Sequence, residues 1–147
     1  MSCIRFNTPA QLAQLRSMAP AMLTPEQAEA LHPSPEITPA KISRLRLLAA
    51  DSNPKIRESV ASSPHTPEDV FFDLARDTDE GVRSFVARNE SAPCDTLRLL
   101  ADDPSERVRG FLAVNFFAPS DAMAKLADDS SQTVRELVRW KSDLATV

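Results

Sequence analysis

The chain has 147 residues, 42% hydrophobic and 26% charged, with a formal net charge of −4. That balance excludes a disordered or collagenous chain, and two cysteines, Cys3 and Cys94, are too few for a disulfide framework or a four-thiolate metal site. No apolar run approaches the roughly 18 residues of a membrane span, and Met1–Pro9 lacks the apolar core of a secretion signal, so a cytoplasmic protein without membrane contact is expected. Two glycines against twelve prolines, with no tyrosine, predict helices ended by prolines rather than sheets joined by glycine turns.

Residues 1–47 carry five basic and three acidic residues, a net of +2. Thr8-Pro9, Thr24-Pro25 and Thr38-Pro39 each read as the capped start of a helix. The rest of the chain carries twelve basic and eighteen acidic residues, a net of −6. An acidic body argues against nucleic-acid binding, which needs basic surface to displace phosphate counterions.

From residue 48 the sequence repeats itself. Leu48-Ala49-Ala50-Asp51 returns as Leu74-Ala75-Arg76-Asp77, Leu100-Ala101-Asp102-Asp103 and Leu126-Ala127-Asp128-Asp129, at a constant step of 26 residues. Six residues after each aspartate stands an arginine: Arg57, Arg83, Arg109, Arg135. A β-branched residue precedes each, and an aliphatic one follows three positions on. Pro67, Pro93 and Pro119 recur as well, each followed two residues later by an aspartate.

The register predicts the local structure. Asn53, Asp79, Ser105 and Ser131 are N-caps of a first helix of about ten residues, whose apolar stripe includes Val82, Phe85 and Val86, or Val108, Phe111 and Leu112. A second short helix starts at the recurring proline, capped in the first step by Thr66, and buries Val70, Phe71 and Leu74, then Leu97 and Leu100, then Met123 and Leu126. Helices this short are unstable alone and gain a core only by stacking. The expected fold is all-α: a short right-handed α-solenoid with a helical N-terminal cap at 1–47, three and a half repeats at 48–141, and a tail at 142–147. Arg139 and Lys141 stand where earlier steps have alanine and asparagine, which reads as a polar end cap.

The pattern Leu-Ala-x-Asp-x-x-x-x-Val-Arg-x-x-Val-Ala, followed by Asn and Thr-Pro, resembles the leucine-rich repeat variant family over residues 48–141. That resemblance implies a bacterial α-solenoid related in character to HEAT repeats, and no single activity. Some members of the family carry a cysteine-ligated iron–sulfur cluster, but the cysteines it needs are missing here.

The Asp/Arg columns (Asp51, Asp77, Asp103, Asp129 with Arg57, Arg83, Arg109, Arg135) read as a structural ladder tying neighbouring steps, in preference to a grip for an anionic partner. His32 and His65 lie in proline-flanked turns without a catalytic companion. Cys94 opens a second helix, where a helix dipole lowers a thiol pKa, but Glu68 and Ser120 at the matching positions make it equally an ordinary polar first-turn residue. With no glycine-rich phosphate loop, zinc-protease pattern or nucleophile elbow, no enzyme, metal site or cofactor is expected.

One face of the first helices departs from the repeat. Positions 55, 58 and 62 lie within about 60° of one another, opposite the apolar stripe. Later steps place there Gly81, Ser84 and Arg88; Arg107, Gly110 and Val114; Thr133, Glu136 and Trp140. Both glycines and the only tryptophan of the protein fall on this face. Tryptophan and arginine are favoured interface anchors, and helical glycine costs about 1 kcal/mol relative to alanine. Arg88, Arg107, Val114, Trp140, Gly81 and Gly110 are therefore the candidate contacts for a protein or peptide, with Phe116 and Phe117 either extending the apolar area or turning into the core. The alternative is a DNA-repair type of HEAT-like nucleic-acid binder, against which the acidic body weighs.

Overall fold

The computed structural model describes residues 37–145, and these form eight helices and no strand. The expected helices after Thr8 and Thr24 lie outside the described residues. In chain order the helices are α1 (Pro39–Ala49), α2 (Pro54–Ala61), α3 (Glu68–Leu74), α4 (Glu80–Arg88), α5 (Cys94–Leu100), α6 (Glu106–Val114), α7 (Ser120–Ala127) and α8 (Gln132–Ala145). None is long and apolar enough to cross a membrane. The last helix continues to Ala145, so residues assigned to a tail from 142 onward extend it instead.

Each even-numbered helix starts on a side-chain cap. Asn53 accepts from the Lys55 amide at 2.9 Å, and Asp79 Oδ1 from the amides of Gly81 and Val82 at 2.8 and 3.2 Å. Ser105 and Ser131 accept from Val108 and Val134 at 3.4 Å. These bonds satisfy donors that no preceding turn can reach. The odd helices α3, α5 and α7 differ from expectation. Pro67, Pro93 and Pro119 themselves occupy the N-cap position, with no side-chain cap. Thr66 does not cap α3: its hydroxyl turns inward and donates to the Val60 carbonyl at 2.6 Å, because the residue is buried against the end of α2.

The even helices pack in a row, α2 on α4, α4 on α6, α6 on α8. The odd helices lie behind them, α3 against α2 and α4, α5 against α4 and α6, α7 against α6 and α8. One continuous core runs between the rows. Val60, Val82, Val86, Val108, Leu112 and Val134 enter it from the front, and Phe71, Leu74, Leu97, Leu100 and Leu126 from behind.

Candidate functional site

Besides the more exposed pairs Arg46–Asp69 and Arg98–Asp121, two sets of shielded bonds link the steps and so fix the surface between them. In the first, each arginine reaches forward. Arg57 Nε and Nη2 donate to Asp77 at 2.6 and 2.8 Å, Arg83 to Asp103 at 2.7 and 3.2 Å, and Arg109 to Asp129 at 2.7 and 3.0 Å. The remaining nitrogen, Nη1, binds backward to the carbonyls of Asp51, Asp77 and Asp103 at 2.7–2.8 Å. The Arg57 and Arg109 guanidiniums hold the carboxyls of Asp77 and Asp129 below the usual carboxylate range, against the opposing effect of burial. Asp51 caps the turn through the Asn53 amide, and Arg135 has no carboxylate partner among the described residues. These arginines are occupied, so they do not present a cationic stripe.

The second set is invisible in the sequence reading. Asn89 Nδ2 donates to the carbonyls of Ala61 and Ser63 at 2.7 and 3.0 Å, and Asn115 Nδ2 to those of Ala87 and Asn89 at 2.7 and 3.3 Å. Lys141 continues the column, its ammonium donating to the Asn115 carbonyl. Lys141 is therefore not a polar end cap: at 1% exposure it is among the largest fully buried side chains. Its aliphatic stem spans the place of an asparagine and delivers the charge to a carbonyl that also accepts from the Ala118 amide at 3.1 Å. Burial pushes its pKa down to about 8. Arg139, by contrast, is exposed.

The face singled out in the sequence holds two adjoining depressions. A cavity of about 470 Å³ opens over α2, α4 and α6, lined by Lys55, Glu58, Asp79, Glu80, Gly81, Ser84, Phe85, Arg88, Arg107 and Phe111. A shallower, mostly apolar groove of about 560 Å³ lies over α6 and α8, lined by Glu106, Arg107, Gly110, Phe111, Val114, Thr133, Val134 and Leu137. The two share Arg107 and Phe111. Gly81, Arg88 and Arg107 thus come together in the cavity, and Arg107, Gly110 and Val114 in the groove. Trp140 lines neither and stands 52% exposed.

The face is also less exposed than helical geometry alone suggests. Glu58 and Ser84 are 9% and 3% exposed, because α4 is flanked on both sides and these positions sink between neighbours. Lys55 Nζ bridges both Glu58 oxygens at 2.8 and 2.9 Å, and the Ser84 hydroxyl has no hydrogen-bond partner among the described residues. Phe85 and Phe111, expected in the core stripe, pack against the core but are only half-buried, and their outer faces support cations. The Arg88 guanidinium lies 5.7 and 5.1 Å from their ring centroids, and Arg107 lies 5.8 Å from Phe111 and 3.6 Å from Glu80. Phe116 is exposed in the turn after α6, near the Lys141 ammonium, and does not extend the groove.

The two glycines serve different ends. A Cβ at Gly81 would collide with Glu58 Oε1 and lie 2.9 Å from Asp79 Oδ1, whereas one at Gly110 would meet only Leu137 Cδ1 at 3.5 Å. Gly110→Ala is therefore expected to raise stability by roughly 0.5–1 kcal/mol through helix propensity. Gly81→Ala is expected to lower it, since Glu58 must leave its seat. Equal gains in urea midpoint at both positions would show that Glu58 is not held against Gly81.

Among the described residues no group of three or more His, Cys, Asp or Glu side chains could hold a metal ion. His65 is engaged through its backbone amide with Ser63, and His32 lies outside the described residues. Cys94 is not a free thiol, so activation by a helix dipole does not arise. Compared with known proteins, the chain matches no family model, no curated protein and no solved structure.

Proposed function

We propose that this chain is an α-solenoid of the leucine-rich repeat variant kind, acting as a non-catalytic module that binds a protein or peptide across α4, α6 and α8. The observation that carries this reading is the continuity of the polar cavity with the apolar groove through Arg107 and Phe111. Half-buried aromatics, unmatched cationic nitrogen and a glycine-floored apolar trough are the makeup of a peptide-binding surface. The alternating rows of helices and the forward-reaching arginines support the solenoid.

Trp140, one turn beyond Leu137 on α8 and exposed, serves in this reading as an outer anchor beside the groove. Its fluorescence reports on the site, since it is the only tryptophan. Peptides selected from a random displayed library are expected to change that emission on binding. Gly110→Phe, which fills the groove, should abolish their binding while circular dichroism stays helical. Trp140→Ala should weaken binding and alter stability by no more than about 0.5 kcal/mol, as for an exposed side chain. Unchanged affinity in Gly110→Phe would exclude this face as the binding surface, and a large loss of stability in Trp140→Ala would make that residue an end cap.

A further inference from the structure

The cavity over α2, α4 and α6 contains hydrogen-bond donors that no described residue uses. Arg57, Arg83 and Arg109 are each committed to an aspartate, but Arg88 makes no hydrogen bond or ion pair among the described residues. Phe85 and Phe111 lie 5.7 and 5.1 Å from its guanidinium carbon, so aromatic faces position the cation without consuming its N–H groups. The Ser84 hydroxyl, on the same helix one turn earlier, is only 3% exposed, lines the same cavity and lacks a partner among the described residues. A buried hydroxyl left unpaired is costly unless something completes it.

We propose that Arg88 and Ser84 bind a carboxylate: the side chain of a glutamate in an extended peptide whose neighbouring apolar side chain fills the groove between α6 and α8. This deepens the peptide-binding reading above and rests on it. A carboxylate matches the planar fork of a guanidinium and accepts from a hydroxyl as well. The surrounding charge selects it over phosphate. Around the cavity Lys55, Arg88 and Arg107 face Glu58, Asp79 and Glu80, so it holds no excess positive charge, and the three carboxylates repel a dianion more than a monoanion that pairs with Arg88.

The geometry also indicates which carboxylate. The groove lies open on the surface and continues past the cavity, so a chain can run through, and a side chain is what descends to the buried hydroxyl. Neighbouring helices stand about 8–10 Å apart. Residues two apart on an extended chain point the same way and are separated by about 6.6–6.8 Å, a gap that the length of a glutamate closes. The expected motif is a glutamate and a large apolar residue two positions apart.

A random dodecapeptide library displayed on phage, selected on the full chain, tests this. Enriched sequences should share that motif. Their binding, as amidated peptides, should weaken at least about tenfold with Glu→Gln in the peptide or with Arg88→Gln in the protein. Ser84→Ala should weaken binding several-fold while thermal stability holds or rises slightly, which a residue with a structural role alone would not do. Glutarate should compete, and inorganic phosphate at equal concentration should not. Enriched peptides without an acidic residue, or indifferent to Arg88→Gln, would overturn the carboxylate site and leave peptide binding standing. So would competition by phosphate, or a requirement for a free peptide C-terminus. Absence of any enriched peptide would overturn both.

Discussion

Arg109→Ala is expected to destabilise the protein by about 2–4 kcal/mol, the scale for breaking a partly buried ion pair from one side. Arg109 joins the turn before α6 to the turn before α8, donating to Asp129 with two nitrogens and to the Asp103 carbonyl with a third. Without it, the shielded Asp129 carboxylate retains the Ser131 amide at 2.8 Å but loses its cation. Arg135→Ala is the internal control: Arg135 binds carbonyls only, among the described residues, so its loss strands no carboxylate and costs less. Urea midpoints of the two variants decide the matter, and equal losses would show that the Asp129 pair contributes nothing beyond the carbonyl bonds. The same pairs set the response to acid. Asp77 and Asp129 titrate below the ordinary carboxylate value of about 3.9. Their contribution is complete above that value and is lost as pH falls through the lowered folded values.

Lys141 gives the second large effect, at the opposite end of the pH scale. Its folded pKa is about 8 against 10.5 for an exposed lysine, because burial penalises the ammonium. Between those values the unfolded chain holds the proton more firmly than the folded one. Stability must then rise as pH increases from about 8 to 10.5, by roughly 2–3 kcal/mol. Lys141→Asn places in the column the residue found at its two previous steps, Asn89 and Asn115, and removes the titrating group. It is expected to raise stability near pH 7 by about 1–2 kcal/mol, as a neutral amide replaces a desolvated charge. It should also flatten the rise above pH 8. Chemical denaturation of both proteins from pH 7 to 10.5 measures each effect. A flat profile for the unsubstituted protein would mean that the ammonium keeps its hydration.

Much of the helical content was legible because it is written in short-range chemistry. Asn53, Asp79, Ser105 and Ser131 cap helices as their position after each turn predicts, and the apolar spacing locates Val82, Val108 and Val134 in the core. The Asp/Arg columns were visible too, but not the reach of each arginine across 20 residues to the next aspartate, which depends on how steps stack. The asparagine column was missed, although its signal was present. Ser63, Asn89 and Asn115 recur at 26-residue spacing where a helix ends, with Lys141 at the next step inside α8, and the side-chain amides of Asn89 and Asn115 at such a place are candidate partners for backbone carbonyls. Burial on the candidate face was the least legible part. Whether Ser84 sinks and Phe85 surfaces depends on the crevices between helices, and periodicity within one helix carries no information about them.

The Asp/Arg and asparagine columns that join the steps and the side chains that line the front face occupy different letters of the 26-residue unit. Aspartate, arginine and asparagine hold the turns and helix ends, and none of their three columns contributes Ser84, Arg88, Gly110 or Val114. The proposed recognition surface can therefore be rewritten position by position while the internal scaffold stays intact. Such a chain is a natural starting point for engineered recognition: selectivity is edited along one strip of residues, and durability along another.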